Sequence, residues 1–317
     1  MKFKTGIKVS APATVANLVC GFETLGLALE HPSDEILIKE YNQPGIHLTE
    51  ITGDKKKLSL DLKKNAAGAA AQAVYNSLVE HHDLNPKTGI ALELRKRIPI
   101  GFGLGSSSAS AVAGAMAVNE CFGRPFEKRE LLKFAAKGEE VAEGKLRLNS
   151  IAPSLLGGLF LVRDHKTFDI HRIPVLKGLH IVVVYPSIPL FTGYLRGQLK
   201  STVSLDCSIN QCSNVAGLVV GFYQSDIDLI GRCLEDCLVE DSLVKHVPHL
   251  YELRKSAKEL GALGCGVSSS GSGVFALCTN SFVAENVKEK MLSVYAKYKI
   301  RGKGLVSKVN LEGAKLE

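Results

Sequence analysis

The segment Pro99-Ile100-Gly101-Phe102-Gly103-Leu104-Gly105-Ser106-Ser107-Ser108-Ala109 runs directly into Ser110 to Cys121, a stretch of Ala, Val and Met with little polarity on any face before Asn119 and Glu120. A helix that is apolar all round must be covered on every side. The chain therefore has to build layers around it, with a glycine-serine loop at its mouth. Successive glycines let backbone N–H groups approach an anion closely, and a helix beginning at the serines adds unpaired amides and the positive end of its dipole. Such a loop suits a triphosphate. Two familiar phosphate loops are excluded, because no Gly-x4-Gly-Lys-Ser/Thr string occurs and Gly101-x-Gly103-x-x-Ser106 misses the third glycine of a dinucleotide fingerprint. On local physics alone, a flexible loop ahead of a tightly packed helix stays open as the alternative.

The rest of the chain supplies the layers. Ile7 to Lys39 reads as a short strand, a turn at Pro12 to Asn17, a segment around Gly21 and Gly26, and a second strand at Glu35 to Lys39. Strand-like runs recur at Gly45 to Ile51 and Gly89 to Arg95, and alanine-rich Asn65 to Leu78 carries apolar residues at helical spacing. Glu127 to Glu143 reads as an amphipathic helix, and Gly157-Gly158 introduces the strand Leu159 to Val162. Beyond an interruption at about residues 165 to 175 come a strand at His180 to Tyr185, helices at about Ser213 to Gly221, Asp226 to Val239 and Pro248 to Leu260, then strand, helix and strand. This interleaving predicts an α+β fold, and 317 residues exceed the usual single-domain length. Two domains are expected, 1–168 and 169–317.

Composition narrows the function. The apolar run around Ile181 to Val184 is closed by Pro186, far short of the roughly 20 residues of a membrane span. Thr14, Asn17 and Glu23 interrupt any leader-like segment. A cytoplasmic protein without a membrane partner is expected. A net charge of +7 admits polyanions, but the basic residues are scattered and aromatics make up only 6%, so no nucleic-acid partner is expected. The triplets Lys55-Lys56-Lys57 and Arg95-Lys96-Arg97 read as solvated faces, the second near enough to the glycine loop to attract an anionic nucleotide. Eight cysteines are too sparse for a disulfide scaffold. Cys207, Cys212, Cys233 and Cys237 lack the tight spacing of zinc knuckles and are expected to be buried, reduced thiols.

The glycine loop resembles the ATP-binding motif of the GHMP kinases, and three further segments resemble companion motifs of that family. These are Ala11 to Leu29, Ile151-Ala152-Pro153-Ser154-Leu155-Leu156-Gly157-Gly158, and Gly261 to Leu277 with its core Gly264-Cys265-Gly266-Val267-Ser268-Ser269-Ser270-Gly271-Ser272-Gly273. The resemblance covers nearly the whole chain and is closest to the homoserine kinase branch. It implies an N-terminal domain like ribosomal S5 domain 2, a ferredoxin-like C-terminal domain and an active site in the cleft between them. It also implies ATP on Pro99 to Ala109, with Asn65 near the adenine and Mg²⁺ on Ser107 and Glu139. The acceptor would be a small molecule, L-homoserine in the threonine pathway, and a homodimer is a compatible assembly. On residue physics alone, Glu139, Glu140 and Glu143 equally fit a solvated acidic helix face.

Acceptor-side residues implied by the family are Asn17, Glu23, Arg147, Ser150 and Arg196, with Arg196 also counted as catalytic beside Ser107 and Glu139. Several depart from the family pattern. Glu23 stands for an Asp, Arg147 for a His, Asn149 and Ser150 for an Asp-Asn pair, and Leu243 for a second arginine. Arg147 is expected to take over the lost guanidinium while Glu23 reaches further. In the last motif Ser269 replaces a glycine, and Ser272 and Gly273 replace a Pro-Thr or Pro-Ser pair. These departures keep two other readings open, a kinase for a different small hydroxyl-bearing acceptor and a non-catalytic nucleotide- or metabolite-sensing relative.

Overall fold

A computed structural model of the chain describes residues 3–187, 202–244, 247–269 and 271–317, apart from the side chains of Asp241 and Leu243. Two sheets organise these residues. The first contains β1 (Lys8–Ala16), β2 (Leu25–Glu40), β3 (Gly45–Thr52), β4 (Gly89–Arg95), β5 (Leu159–Asp164), β6 (Asp169–Ile173) and β11 (Lys315–Leu316). Its main path runs β11-β1-β2-β4-β3, with β5 and β6 continuing from the first half of β2. The second sheet is antiparallel, in the order β10 (Gly302–Lys308), β7 (His180–Pro186), β9 (Val274–Cys278), β8 (Gly264–Val267). The chain passes from one sheet to the other between Ile173 and His180.

The expected turn at Pro12 to Asn17 is instead strand. β1 runs through Pro12 because the register with β2 shifts between Pro12 and Thr14, a bulge that removes the need for the missing proline N–H. Thr14, Val15 and Ala16 then pair again with Ala28, Leu27 and Gly26, so β2 is one strand of 16 residues. Gly26 is required there, since a Cβ would lie 1.6 Å from the Asn149 carbonyl oxygen.

Helices α1 (Ala66–His81), α2 (Ser106–Cys121), α3 (Leu131–Glu143) and α4 (Leu148–Leu156) cover this sheet. α2 and α4 lie on β1 and β2, while α1 and α3 pack outside α2. As its composition demands, α2 is buried from Ser108 to Cys121. The close approach depends on missing side chains, for a Cβ on Gly114 or Gly138 would come within 2.3 Å of the Ala67 or Ala66 carbonyl. Helices α5 (Leu205–Gln224), α6 (Ile227–Cys233), α7 (Glu240–Val244), α8 (Leu250–Glu259) and α9 (Ser281–Lys297) belong to the second half. On β7, Val182 and Val184 face the core under α8 and α9, whereas Ile181 and Val183 join the core shared with the first sheet, the period of two that a strand imposes.

The expected long helix from Asp226 to Val239 breaks after Cys233, and the reason is a second correction. Cys207 and Cys237 form a disulfide, with Cα atoms 5.8 Å apart, rather than remaining buried thiols. Asp236, beside it, accepts the Val239 amide at 2.9 Å, the Glu240 amide at 2.6 Å and Gln211 Nε2 at 2.8 Å. These bonds hold the segment out of helical geometry and cap α7. Cys233 is buried and Cys212 is exposed.

Candidate active site

A cavity of about 290 Å³ opens where the glycine loop meets α3, α4 and the loop after β8. Gly101, Gly103 and Gly105 take φ of +89°, +76° and +63°, values that serine or alanine would adopt only with strain. Helix α2 starts at Ser106 without any side-chain cap, so its first amides are left for a ligand in the cavity. The loop is pinned from below by the Thr14 amide, which donates to Leu104 O at 3.1 Å, and by Ser106 Oγ, which donates to Ile98 O at 3.2 Å.

Sequence reasoning missed the support beneath it. Lys96, read above as part of a solvated triplet, is only 7% exposed. Its ammonium pairs with the buried Asp34 carboxylate and donates to Ser110 Oγ at 2.7 Å and Ser106 O at 2.9 Å. Asp34 also accepts the amides of Arg97 and Ile98 at 2.9 and 3.0 Å. A buried ion pair tolerates its desolvation only when its remaining donors and acceptors are used, as they are here. The signal was strand alternation, since Lys96 follows exposed Arg95 on the inward side of β4's end.

The carboxylate side comes from α3. Glu139 is 1% exposed, while Glu140 on the same helix is exposed, which overturns the solvated-face reading for Glu139. Burial, followed by the charge of Glu143, pushes its carboxyl up to about 7, against the opposing pull of Arg147 and the hydroxyls of Ser107 and Ser108. Glu139 Oε2 is buried without a hydrogen bond of normal geometry. Such an oxygen next to a triphosphate-sized loop fits a hard divalent cation, which needs few protein ligands when phosphates and water complete its shell.

Asn65, Ile100, Gly101 and Gly103 to Ser108 line the same cavity, as do Glu139, Arg147 and Ser150. Asn65 Oδ1 caps α1 through the amides of Ala67 and Gly68, and its Nδ2 donates to Ser59 O at 2.9 Å. Pro99, Phe102 and Ala109 hold the loop without lining the cavity. Phe102 packs against Tyr185 with the rings tilted by 42° and their centroids 4.6 Å apart, and Ala109 is buried in α2.

Of the acceptor-side residues, Arg147 is buried, donating from Nη2 to Glu143 at 2.9 Å and from Nη1 to Ser269 Oγ at 3.4 Å. Asn17 is 4% exposed and lies beside the cavity rather than on its wall; its Oδ1 accepts the Glu23 amide at 3.1 Å and Asn149 Nδ2 at 3.3 Å. Glu23 pairs with Lys145 at 3.2 Å. Arg196 and the Leu243 side chain lie outside the described residues.

His165, which the motifs do not single out, clips these pieces together. Its Nδ1 accepts the Leu148 amide at 3.4 Å and its Nε2 donates to Glu23 O at 3.0 Å. Burial holds its pKa below the ordinary value, favouring the neutral ring this double role requires.

The second glycine-serine loop closes the site from the other sheet. Ser268 Oγ donates to Gly103 O at 2.7 Å, and the Gly273 amide donates to Phe102 O at 3.1 Å.

Family and structural comparisons agree with this arrangement. Residues 65–158 match the GHMP kinases N terminal domain and residues 218–297 match GHMP kinases C terminal. A homoserine kinase of Chlorobium phaeobacteroides (strain BS1) is 35% identical over 322 aligned residues, covering 100% of both chains. One from Arabidopsis thaliana is 32% identical over 98% of this chain and 84% of its own. The crystal structure of homoserine kinase from Cytophaga hutchinsonii superposes with a TM-score of 0.94 at 37% identity, covering 100% of this chain and 99% of that one. A mevalonate kinase from L. major shares the fold, with a TM-score of 0.72 at 16% identity over 97% and 98% of the two chains. With both family domains matched and relatives above 30% identity aligned along essentially the whole chain, the chain belongs to the GHMP kinase family.

Proposed function

We propose that this protein is an ATP-dependent homoserine kinase, transferring the γ-phosphoryl group to the side-chain hydroxyl of L-homoserine to give O-phospho-L-homoserine. The observation that carries it is the single cavity in which the uncapped start of α2, the orphaned Glu139 carboxylate oxygen and the Arg147 guanidinium meet. Relatives named homoserine kinase align along essentially the whole chain, which supports the choice of acceptor.

In this reading the amides of Gly101 to Ser108 hold the phosphates, and Ser107 with Glu139 would hold Mg²⁺. The cation would neutralise charge on the phosphate oxygens when bound. Transfer proceeds through a loose transition state, so orientation and charge stabilisation count for more than deprotonating the hydroxyl. Ser150 at the position facing the loop is compatible with such a base-free reaction. Asn17, Glu23 and Arg147 orient the acceptor, with an acidic group for its ammonium and a guanidinium for its carboxylate. His165 keeps Glu23 and the start of α4 in register. The absence of a long apolar helix among the described residues agrees with a cytoplasmic location.

The test is to incubate purified protein with Mg-ATP and homoserine, threonine, serine, mevalonate or sugars, following ADP and phosphorylated product. Homoserine-dependent formation of phosphohomoserine is the expected result. Turnover confined to another alcohol would transfer the assignment to that acceptor. Nucleotide binding without any turnover would sink it.

A further inference from the structure

We infer that Ser269 is a positioning residue that fixes the acceptor-binding side chains and so sets acceptor specificity, an inference that rests on the acceptor roles proposed above for Asn17 and Arg147. Four of its features converge. Its φ of +55° lies in the left-handed region, where a serine is disfavoured and a glycine is not. Its amide donates to Ala16 O at 3.2 Å. Its carbonyl accepts Asn17 Nδ2 at 3.2 Å, and its hydroxyl accepts Arg147 Nη1 at 3.4 Å. A single residue following β8 thus grips the end of β1 and two acceptor-side residues from separate elements of the first sheet's domain.

The left-handed backbone makes the double grip possible, because it turns the carbonyl toward Asn17 while the hydroxyl meets Arg147. Glycine would relieve the strain but leave Arg147 Nη1, on a buried cation, without its acceptor. With Glu143 on one corner and Ser269 on another, the guanidinium is held at two points, and its Nε is buried with no protein partner. That N–H is the one the protein leaves unanswered on a residue that lines the cavity together with Ser269, and an acceptor carboxylate would answer it. Selectivity follows: an acceptor carrying a carboxylate at the right distance pairs with a fixed guanidinium, whereas an alcohol without one leaves that N–H unanswered.

The experiment combines steady-state kinetics with an unfolding cycle. Wild type, Ser269→Gly, Ser269→Ala and Ser269→Asn are assayed with varied homoserine and varied ATP, and with threonine and serine as rival acceptors. Ser269→Gly sets relieved strain against an unpaired Arg147 Nη1, so its melting temperature should stay within about 2 °C of wild type. The same variant should raise the KM for homoserine about ten-fold, leave the KM for ATP within about two-fold, and narrow discrimination against the rivals. Ser269→Asn, which tolerates left-handed backbone and offers a side-chain oxygen, should restore most of the affinity. In urea, the midpoint shifts of Arg147→Met and Ser269→Ala should fail to add in the double variant. An unchanged homoserine KM in Ser269→Gly overturns the inference while the assignment as a homoserine kinase stands. If wild type turns over no acceptor, the functional reading fails first, and additive urea midpoints then overturn the Ser269–Arg147 coupling independently.

Discussion

The two glycine-serine loops look alike as strings of letters but use glycine for opposite reasons. In Pro99 to Ala109 the three glycines all have positive φ, so they are there for the backbone's shape. In Gly264 to Gly273 none of the glycines has positive φ, and the only described residue that does is Ser269. There the glycines are needed for space. A Cβ on Gly271 would lie 2.2 Å from Gly103 N, one on Gly273 2.4 Å from Phe102 O, and one on Gly266 2.8 Å from a Val19 methyl. The first loop is built to bend around the mouth of the cavity, the second to press against the first. A motif match alone does not distinguish these uses, yet they make different demands on substitution.

Gly103 stands where the two uses meet, with positive φ and a would-be Cβ 2.0 Å from Ser268 O. Gly103→Ala should therefore have the largest effect, lowering kcat/KM for ATP by about a thousand-fold or more, as read by initial rates. A rate within ten-fold of wild type would erase the distinction between the loops at this position.

The carboxylate facing the first loop gives the next effect. Glu139 has its carboxyl pushed from an ordinary 4.5 up to about 7, so the folded protein holds a proton that the unfolded chain releases. Stability of the ligand-free protein should fall as pH rises from 4.5 towards 7, by about 3 kcal/mol from this group. Glu139→Gln should flatten that slope in denaturant titrations at several pH values, the gap from wild type widening as pH rises. Parallel profiles would remove Glu139 as the cause.

Gly271→Ala tests space without φ, and a cost of about 2 kcal/mol, near thirty-fold in kcat/KM for ATP, is expected from displaced backbone at Gly103. The smallest effect belongs to Ser268→Ala, which removes one bond to Gly103 O and should cost about 1 kcal/mol in thermal unfolding with a few-fold rise in KM for ATP. If Ser268→Ala proved more damaging than Gly271→Ala, the loops would be held by that hydroxyl rather than by backbone contact.

The glycine-loop half of the candidate site was legible in sequence because it depends on local rules. Glycines at a helix start and an all-apolar helix are both readable within twenty residues, and α2 begins at the expected serines and buries the expected face. The half proposed for the acceptor was less legible because its geometry is assembled from distant segments. Alternation can place Lys96 inward, but no local pattern shows that it meets Asp34, that His165 bridges Glu23 and Leu148, or that Ser269 reaches Arg147 across 122 positions. The strand through Pro12 was misread as a turn because a bulge, visible only with β2 alongside, excuses the proline. Cys207 and Cys237 escaped for the same reason, being brought together only by the folded path of α5 and the Asp236 segment.

The short strand Lys315–Leu316 pairs with Ser10 and Val9, and the Ala314 amide donates to Ser154 O at 2.9 Å. The first sheet is therefore completed by residues made after every strand of the second sheet, although most of its own strands emerge early. During synthesis the outer edge of β1 waits with its hydrogen-bonding groups uncovered while the whole second sheet is made. The half of the chain that holds the first sheet consequently cannot reach its final state as a vectorial, self-contained folding unit. Its last contacts have among the longest sequence separations in the molecule, and shortening the chain by a few residues there reopens a sheet edge more than three hundred positions upstream.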